Sequence, residues 1–395
     1  GAPPSNLGSS SGLRFPFVQS NAMASLLSLL APPELDRPLP WEALQVFDWV
    51  RALEPCPQDP IHHAEGNVWI HTRMVLETLL QMPAWRSLMT QDRHAVYLAC
   101  LLHDVAKPMT TRTEEDGRVT AKGHSRRGEL LARRILYELG APFALREQVC
   151  MLVRYHQIPF FLIERDDARR TAAEISTVTR CDLLALVAEA DIRGRVCRDL
   201  GRVLDNIALF VEFCREEGCL DVPRPFPSEH TRYTFFRDPT RHPDTEIFDD
   251  TGPEVIVLSG LPGAGKDTLA RTRFPGLPVV SLDALRDEMD FHHGDNQGPI
   301  VQAARERARE HLRRRVPFVW NATNLQRQFR GPVLSLLADY KARIRLVYIE
   351  PPLATLLAQN RSRTAVVPER VIHRMMERLE IPDATEAHAL DLVVS

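Results

Sequence analysis

This 395-residue chain has no apolar run long enough to span a bilayer and no visible signal peptide. Those absences lead us to expect a cytoplasmic protein with no membrane partner. A Cys-x-x-Cys pair is also missing. The seven cysteines are scattered, several of them inside apolar helical patterns (Cys100 in YLACLL, Cys150 in QVCMLV), so reduced, buried thiols are expected. Strong charge of one sign is lacking too. At a formal net charge of −3 there is no global field to attract nucleic acid, and polynucleotide binding would rest on local basic patches. Candidate patches are Lys122–Arg127, Arg133–Arg134 and Arg305–Arg315. No repeat of 20–50 residues is apparent, which excludes a solenoid or propeller.

What is present fits a globular protein of more than one core, and two domains is the expectation for this length. Residues 1–37 read as a flexible N-terminal arm, rich in Gly, Ser, Pro and Asn at its start. From 38 to 215 the apolar residues recur three and four apart, as in VWIHTRMVLETLLQM and CDLLALVAEADI, which predicts an all-α domain. Residues 216–253 are a connector. The prolines at 223, 225, 227, 239 and 243 argue against a regular helix there, and Phe235 and Phe236 would pack between the domains. From 254 to 395 short β-branched runs (EVIVLSG, PVVSLD, PFVWNAT, IRLVYIE, LDLVV) alternate with helical stretches, which predicts an α/β domain with a parallel sheet.

The most specific motif follows the first of those strands: Gly260, Pro262, Gly263, Ala264, Gly265, Lys266, Asp267 and Thr268. Small residues let backbone N–H groups turn inward around phosphates, and the following helix N-terminus favours negative charge. A nucleotide with its Mg²⁺, ATP or another NTP, is therefore expected here, with Lys266 on the β and γ phosphates. Asp267 stands where Ser or Thr usually touches the cation. If it merely replaces that hydroxyl, Asp267→Ser should preserve or raise activity. After the next strand come Asp283 and Arg286, one helical turn apart. Ligands collect at the carboxyl ends of strands in such sheets, so Asp283 is a candidate proton acceptor and Arg286 a candidate phosphate grip. Asn321 takes the place of the usual strand-end carboxylate, in Trp320-Asn321-Ala322-Thr323-Asn324. Arg361 and Arg363 are candidates to close over the triphosphate.

Residues 254–395 resemble the polynucleotide kinase branch of P-loop kinases. The matching features are the glycine loop, Asp-x-x-Arg after the next strand, the Ala-Thr-Asn strand end, an arginine lid and the closing PERVIHRMMERLEIP helix. The resemblance implies Asp283 as general base for a 5′-hydroxyl and Arg361 or Arg363 as donor contact.

The helical half carries a second series: His71, His103-Asp104, His124, His156 and Asp191, each near an end of a predicted helix. Imidazole and carboxylate ligands together suit Mn²⁺, Fe, Co, Ni or Zn. The order, with LLHDVAKP at its centre, resembles the HD phosphohydrolase superfamily. That resemblance implies one or two divalent transition metals, Mn²⁺ or similar, held by His71, His103, Asp104 and Asp191, with His124 and His156 completing a second position. Metal-assisted phosphate hydrolysis follows. Lys107 and Arg193 are candidates to steer phosphate, although solvent-facing roles are ordinary for both. The remaining histidines show no spacing logic, and His62-His63 and His292-His293 are suitable controls.

An HD domain ahead of such a kinase resembles the bacterial HD-domain polynucleotide kinases, bifunctional RNA end-healing enzymes. The resemblance implies a 5′-OH kinase and a 2′,3′ phosphatase or cyclic phosphodiesterase. Its substrates would be RNA (or DNA) ends, and a ligase would act downstream. The alternative is a small-molecule or nucleotide kinase fused to an HD nucleotide phosphohydrolase or a regulatory HD module.

Overall fold

The computed structural model describes residues 20–291 and 296–394. Its first half is helical, as the periodicity predicts. The elements that matter are α1 (Ser20–Leu29), α2 (Val68–Gln81), α3 (Thr90–Leu102), α4 (His124–Glu138), α5 (Phe143–Tyr155), α6 (Cys181–Arg193) and α7 (Leu200–Glu216). Asn67 starts α2 by accepting from Ile70 N at 2.9 Å, satisfying one of the unpaired first-turn donors. The run Ala95–Leu102 of α3 is buried on every side, which makes this helix the centre of the bundle. All seven cysteines are free; six are buried and Cys197 is partly exposed.

The N-terminal arm is shorter than expected. Residues 1–19 lie outside the described residues, but α1 is helical and Leu30 is fully buried in the bundle core, with Leu26, Leu27 and Leu29 packed against it. A cluster of leucines directly after the polar stretch supplies enough apolar area to dock.

The connector also departs from expectation, because α8 (Glu229–Arg237) is a regular helix. Its prolines flank it at 227 and 239 and none falls inside, while the Ser228 hydroxyl caps it by accepting from Thr231 N at 3.0 Å. Tyr233 joins the core of the second half, and Phe235 is buried beneath Arg170, whose guanidinium lies 4.0 Å from the ring centroid.

The second half is a parallel five-stranded sheet with helical crossovers. Its elements are β1 (Glu254–Ser259), α9 (Lys266–Arg273), β2 (Val279–Ser281), α10 (Leu282–Glu288), α11 (Gly298–Arg313), β3 (Phe318–Asn321), α12 (Arg327–Asp339), β4 (Arg343–Glu350), α13 (Leu353–Arg361), α14 (Glu369–Met376) and β5 (Ala389–Val394). The strand order is β2-β3-β1-β4-β5, so the first strand is central and its residues 255–259 are buried on both faces. Register places Leu258 opposite Asn321, and Ser281 pairs with the same Asn321. The ends of β1, β2 and β3 therefore converge at one edge.

Buried ion pairs join the halves through α4 and α5. Arg146 meets Glu350 at 2.8 Å, Arg133 forks onto Glu147 and donates to Leu379 O at 2.9 Å, and the Tyr137 hydroxyl donates to Pro351 O at 2.8 Å. One of the three basic patches is consumed here: Arg133 is 1% exposed and Arg134 pairs with Glu377, whereas in the Lys122–Arg127 patch Arg126 reaches Glu380 but stays exposed. Arg133 and Arg134 are interdomain contacts, not free nucleic-acid surface, while Lys122, Arg126 and Arg127 remain exposed. Spacing on one helix does not reveal which face a second domain covers.

Candidate functional sites

The helical half gathers its six predicted residues from five helices. His71 lies in the first turn of α2, His103 caps the end of α3 with Asp104 next, His124 opens α4, His156 caps the end of α5, and Asp191 is near the end of α6. Gly194, just past α6, allows that convergence: a Cβ there would sit 2.7 Å from the Val75 backbone of α2. His71 Nε2 lies 3.2 Å from His103 Nε2 and 3.0 Å from Asp191 Oδ1, and His103 Nε2 is 3.2 Å from Asp104 Oδ2. Within Asp104, His124 and His156, one ligand atom from each falls within 4.8 Å of the others, and the same holds for His71, His103 and Asp191.

Four imidazoles present the same tautomer to this space. Nδ1 of His103, His124 and His156 faces the carbonyls of Cys100, Ala121 and Val153 at 2.7–2.8 Å, and Nδ1 of His71 faces Gly194 O at 3.2 Å. A carbonyl can only accept, so Nδ1 carries the proton and each Nε2 lone pair points into the cluster. His156 Nε2 is buried with no hydrogen-bond partner, and the Asp104 oxygens have ionic neighbours but no directed hydrogen bond. Orphaned buried donors and acceptors are costly, and cations held by these N and O atoms would satisfy them. The residues fit a divalent transition metal.

Electrostatics favour the binding form of His124, His156, Asp104 and Asp191, whereas Asp104 and Asp191 raise the His103 imidazole against burial. Burial pushes the His156 imidazole down to about 3, helped by His103, and burial likewise lowers His124. For Asp104, burial opposes ionisation but Lys107 and His103 hold the carboxyl well below its usual range. Asp191 is held low against burial by Arg195 and His71.

The two phosphate-steering candidates behave differently. Lys107 is buried, 2.7 Å from Asp104 Oδ2 and donating to Gln58 Oε1 at 2.6 Å. Arg193 turns away to Glu189 at 2.7 Å and is exposed. The arginine at the site is Arg195, which forks onto both Asp191 oxygens at 2.9 and 2.6 Å. Its position four residues past Asp191 at a helix end was the available signal. Glu65, against His63 and His71, was also missed, because a lone carboxylate in a loop has no periodic signature.

In the second half, the glycine loop turns between β1 and α9. At Gly260 a Cβ would sit 2.6 Å from Ile349 O; Gly263 combines φ +83° with a Cβ position 2.9 Å from Leu356 O. Gly265, at φ +95°, caps α9. Lys266 Nζ donates to the carbonyls of Gly260 and Leu261 at 2.9 and 3.0 Å, folded back over the loop where phosphates would lie. Burial lowers its ammonium to about 8, opposed by Asp267 and Asp283.

Asp283 and Arg286 contact each other on α10, whose start is capped by Ser281, and Arg286 also donates to Gln297 Oε1 at 2.7 Å. Arg363 approaches Asp283 Oδ2 at 4.0 Å. Arg361 does not join them; it pairs with Glu369 at 2.8 Å and is half exposed. Asn321 Nδ2 donates to Asp267 Oδ1 at 2.6 Å, and Asn324 Nδ2 braces Leu258 O at 2.7 Å. Thr268 is exposed. His292 and His293 lie outside the described residues.

Two family models match the chain: HD domain over residues 68–191 and AAA domain over residues 255–382. A multifunctional CCA protein of Halorhodospira halophila is 36% identical over 107 residues, covering 27% of this chain and 23% of that protein. A CC-adding tRNA nucleotidyltransferase of Thermus thermophilus is 34% identical over 128 residues (32% and 26%). A bifunctional uridylyltransferase/uridylyl-removing enzyme of Ruegeria pomeroyi is 34% identical over 109 residues (26% and 11%). The chain thus spans about a quarter or less of the length of these three relatives. Among solved structures, a gluconokinase from Sinorhizobium meliloti 1021 aligns over 36% of this chain and 83% of its own, at 22% identity and TM-score 0.28. No helix among the described residues is long and apolar enough to cross a membrane. The helical half thus carries the HD domain match, and the half with the glycine loop and the parallel five-stranded sheet carries the AAA domain match.

Proposed function

We propose that this chain is a bifunctional RNA end-healing enzyme, with an NTP-dependent 5′-OH kinase in its second half and a 2′,3′ phosphatase or cyclic phosphodiesterase in its first. The observation that carries this reading is the pairing of two separate phosphate-chemistry clusters in one chain. One is Lys266, Asp283, Arg286 and Arg363 around a glycine loop; the other is the His/Asp cluster beside Lys107 and Arg195. RNA cleavage that leaves a 5′-hydroxyl and a 2′,3′-cyclic phosphate creates ends that need both activities before a ligase can act. Relatives named multifunctional CCA protein and CC-adding tRNA nucleotidyltransferase are consistent with an RNA substrate.

In the kinase half, Lys266 would leave the loop carbonyls for the phosphates of the bound NTP, which is delivered with Mg²⁺. Asp283, 64% exposed at its side chain, stands open to an incoming hydroxyl. It would take the hydroxyl proton as the new O–P bond forms and the bond to the β-phosphate oxygen breaks. Arg286 and Arg363, both beside Asp283, would hold acceptor and donor phosphates. In the HD half, His71, His103, Asp104 and Asp191, with His124 and His156, would hold one or two divalent cations. When bound, these supply Lewis acidity to water and phosphate. Lys107 and Arg195 offset the charge of the Asp104 and Asp191 carboxylates.

The test is an oligonucleotide bearing 5′-OH and 3′-phosphate ends, incubated with NTP and either Mn²⁺ or Mg²⁺, with both termini read by mass spectrometry. A free nucleoside is offered in parallel. Gain of a 5′-phosphate and loss of the 3′-phosphate support the proposal. Equal labelling of the nucleoside would transfer the kinase to small-molecule substrates.

A further inference from the structure

Glu65 precedes α2 in a loop, yet its side chain is 1% exposed. Its Oε1 faces His63 Nδ1 at 2.8 Å and His71 Nδ1 at 3.0 Å, and its Oε2 accepts from Val196 N at 2.9 Å. The loop is clamped from the other side as well, Ala64 N donating to Val196 O at 3.1 Å. Val196 follows Asp191 and Arg195, so the clamp ties the chain before His71 to the chain after Asp191.

His71 thereby differs from its three partners. Nδ1 of His103, His124 and His156 meets a neutral carbonyl, whereas Nδ1 of His71 meets both Gly194 O and a carboxylate. A carboxylate behind an imidazole fixes the tautomer, holds the ring plane and pushes electron density toward the far nitrogen, raising its strength as a ligand.

We infer that Glu65 is a positioning residue for the cation site of the HD half, acting through His71. The inference rests on the proposal that this cluster binds a divalent transition metal.

The full-length protein, stripped with chelator, is titrated with Mn²⁺, and free Mn²⁺ is read by electron paramagnetic resonance. Glu65→Gln, which keeps size and polarity but removes the charge, is expected to weaken Mn²⁺ binding by about 10-fold, and Glu65→Ala by up to about 100-fold. Nucleotide binding by the second half stays at the parental level in both variants and reports on folding. The thermal midpoint of the chelated protein should change less than the upward shift that Mn²⁺ produces. A purely structural clamp gives the opposite pattern, a lower midpoint without cation and parental Mn²⁺ affinity, and overturns the inference. Parental protein that takes up no Mn²⁺ or other divalent transition ion overturns the inference together with the metal reading. Parental uptake with unchanged affinity in both variants overturns the role of Glu65 alone.

Discussion

Asn321 Nδ2 donates to Asp267 Oδ1 at 2.6 Å, joining the two positions where this phosphate loop departs from the usual arrangement. A P-loop ordinarily places a hydroxyl on the loop and a carboxylate at the strand end. Here the carboxylate is on the loop and the neutral group at the strand end, so the pair still brings one negative charge to the same place. This contact reverses the expectation for Asp267→Ser, which would remove that charge and leave the Asn321 amide without its partner. We expect Asp267→Ser to lower Mg²⁺-dependent nucleotide affinity by about 10–100-fold, the range for loss of a hydrogen bond to a charged group. The double variant Asp267→Ser/Asn321→Asp should recover most of it. Calorimetric titration of the four proteins with NTP and Mg²⁺ checks this, and additive losses in the double variant would sink it.

Lys266→Ala and Asp283→Ala should each reduce 5′ phosphorylation by at least about 10²-fold while sparing 3′ dephosphorylation. His103→Ala and Asp104→Ala should do the reverse. Assaying both termini of one oligonucleotide separates the four variants. Parental 5′ phosphorylation by Asp283→Ala refutes the base assignment.

Arg146 and Glu350 are both almost fully buried between the halves, and Arg146 also meets Glu147. Removing Arg146 leaves the buried Glu350 carboxylate with the Tyr348 hydroxyl but without its cation, while Glu147 keeps Arg133. Arg146→Ala is expected to destabilise the protein by about 3–5 kcal/mol, because the desolvation cost stays while the attraction is lost. Denaturant unfolding followed by calorimetry should show the single transition separate into two. An unchanged single transition would mean that the contact does not couple the domains.

His388 is buried, and its Nδ1 accepts from Ile344 N at 3.1 Å, which requires an unprotonated nitrogen. Burial, with His230 alongside, lowers the imidazole to about 3. An unfolded chain takes up that proton near the ordinary histidine value of about 6.5, so it binds more protons than the folded chain between those limits. Stability from this residue is therefore complete above about 6.5 and falls as pH drops toward 3, by up to about 1.4 kcal/mol per pH unit. Thermal midpoints across pH 7 to 4 should fall less steeply for His388→Gln than for the parent.

The amino-acid sequence by itself determined the class of each half. Apolar spacing of three and four makes helices that bury one stripe, and the short β-branched runs near Val255, Val319 and Val347 suit strands covered on both faces. Both clusters were also legible, since glycine spacing after a strand and histidines at helix ends are local patterns that leave few alternatives. Other features were decided by tertiary contact. Glu65, Arg195 and the amide of Asn321 acquire partners only when distant segments meet. Arg133 looked like a surface cation until a second domain covered its helix face, and Arg361 and Arg363, two residues apart, were sorted by which of them faces Asp283. Periodicity reports which side of an element is apolar, but it carries no information about which charged groups will be brought to that side. That choice is made by the packing of one element on another.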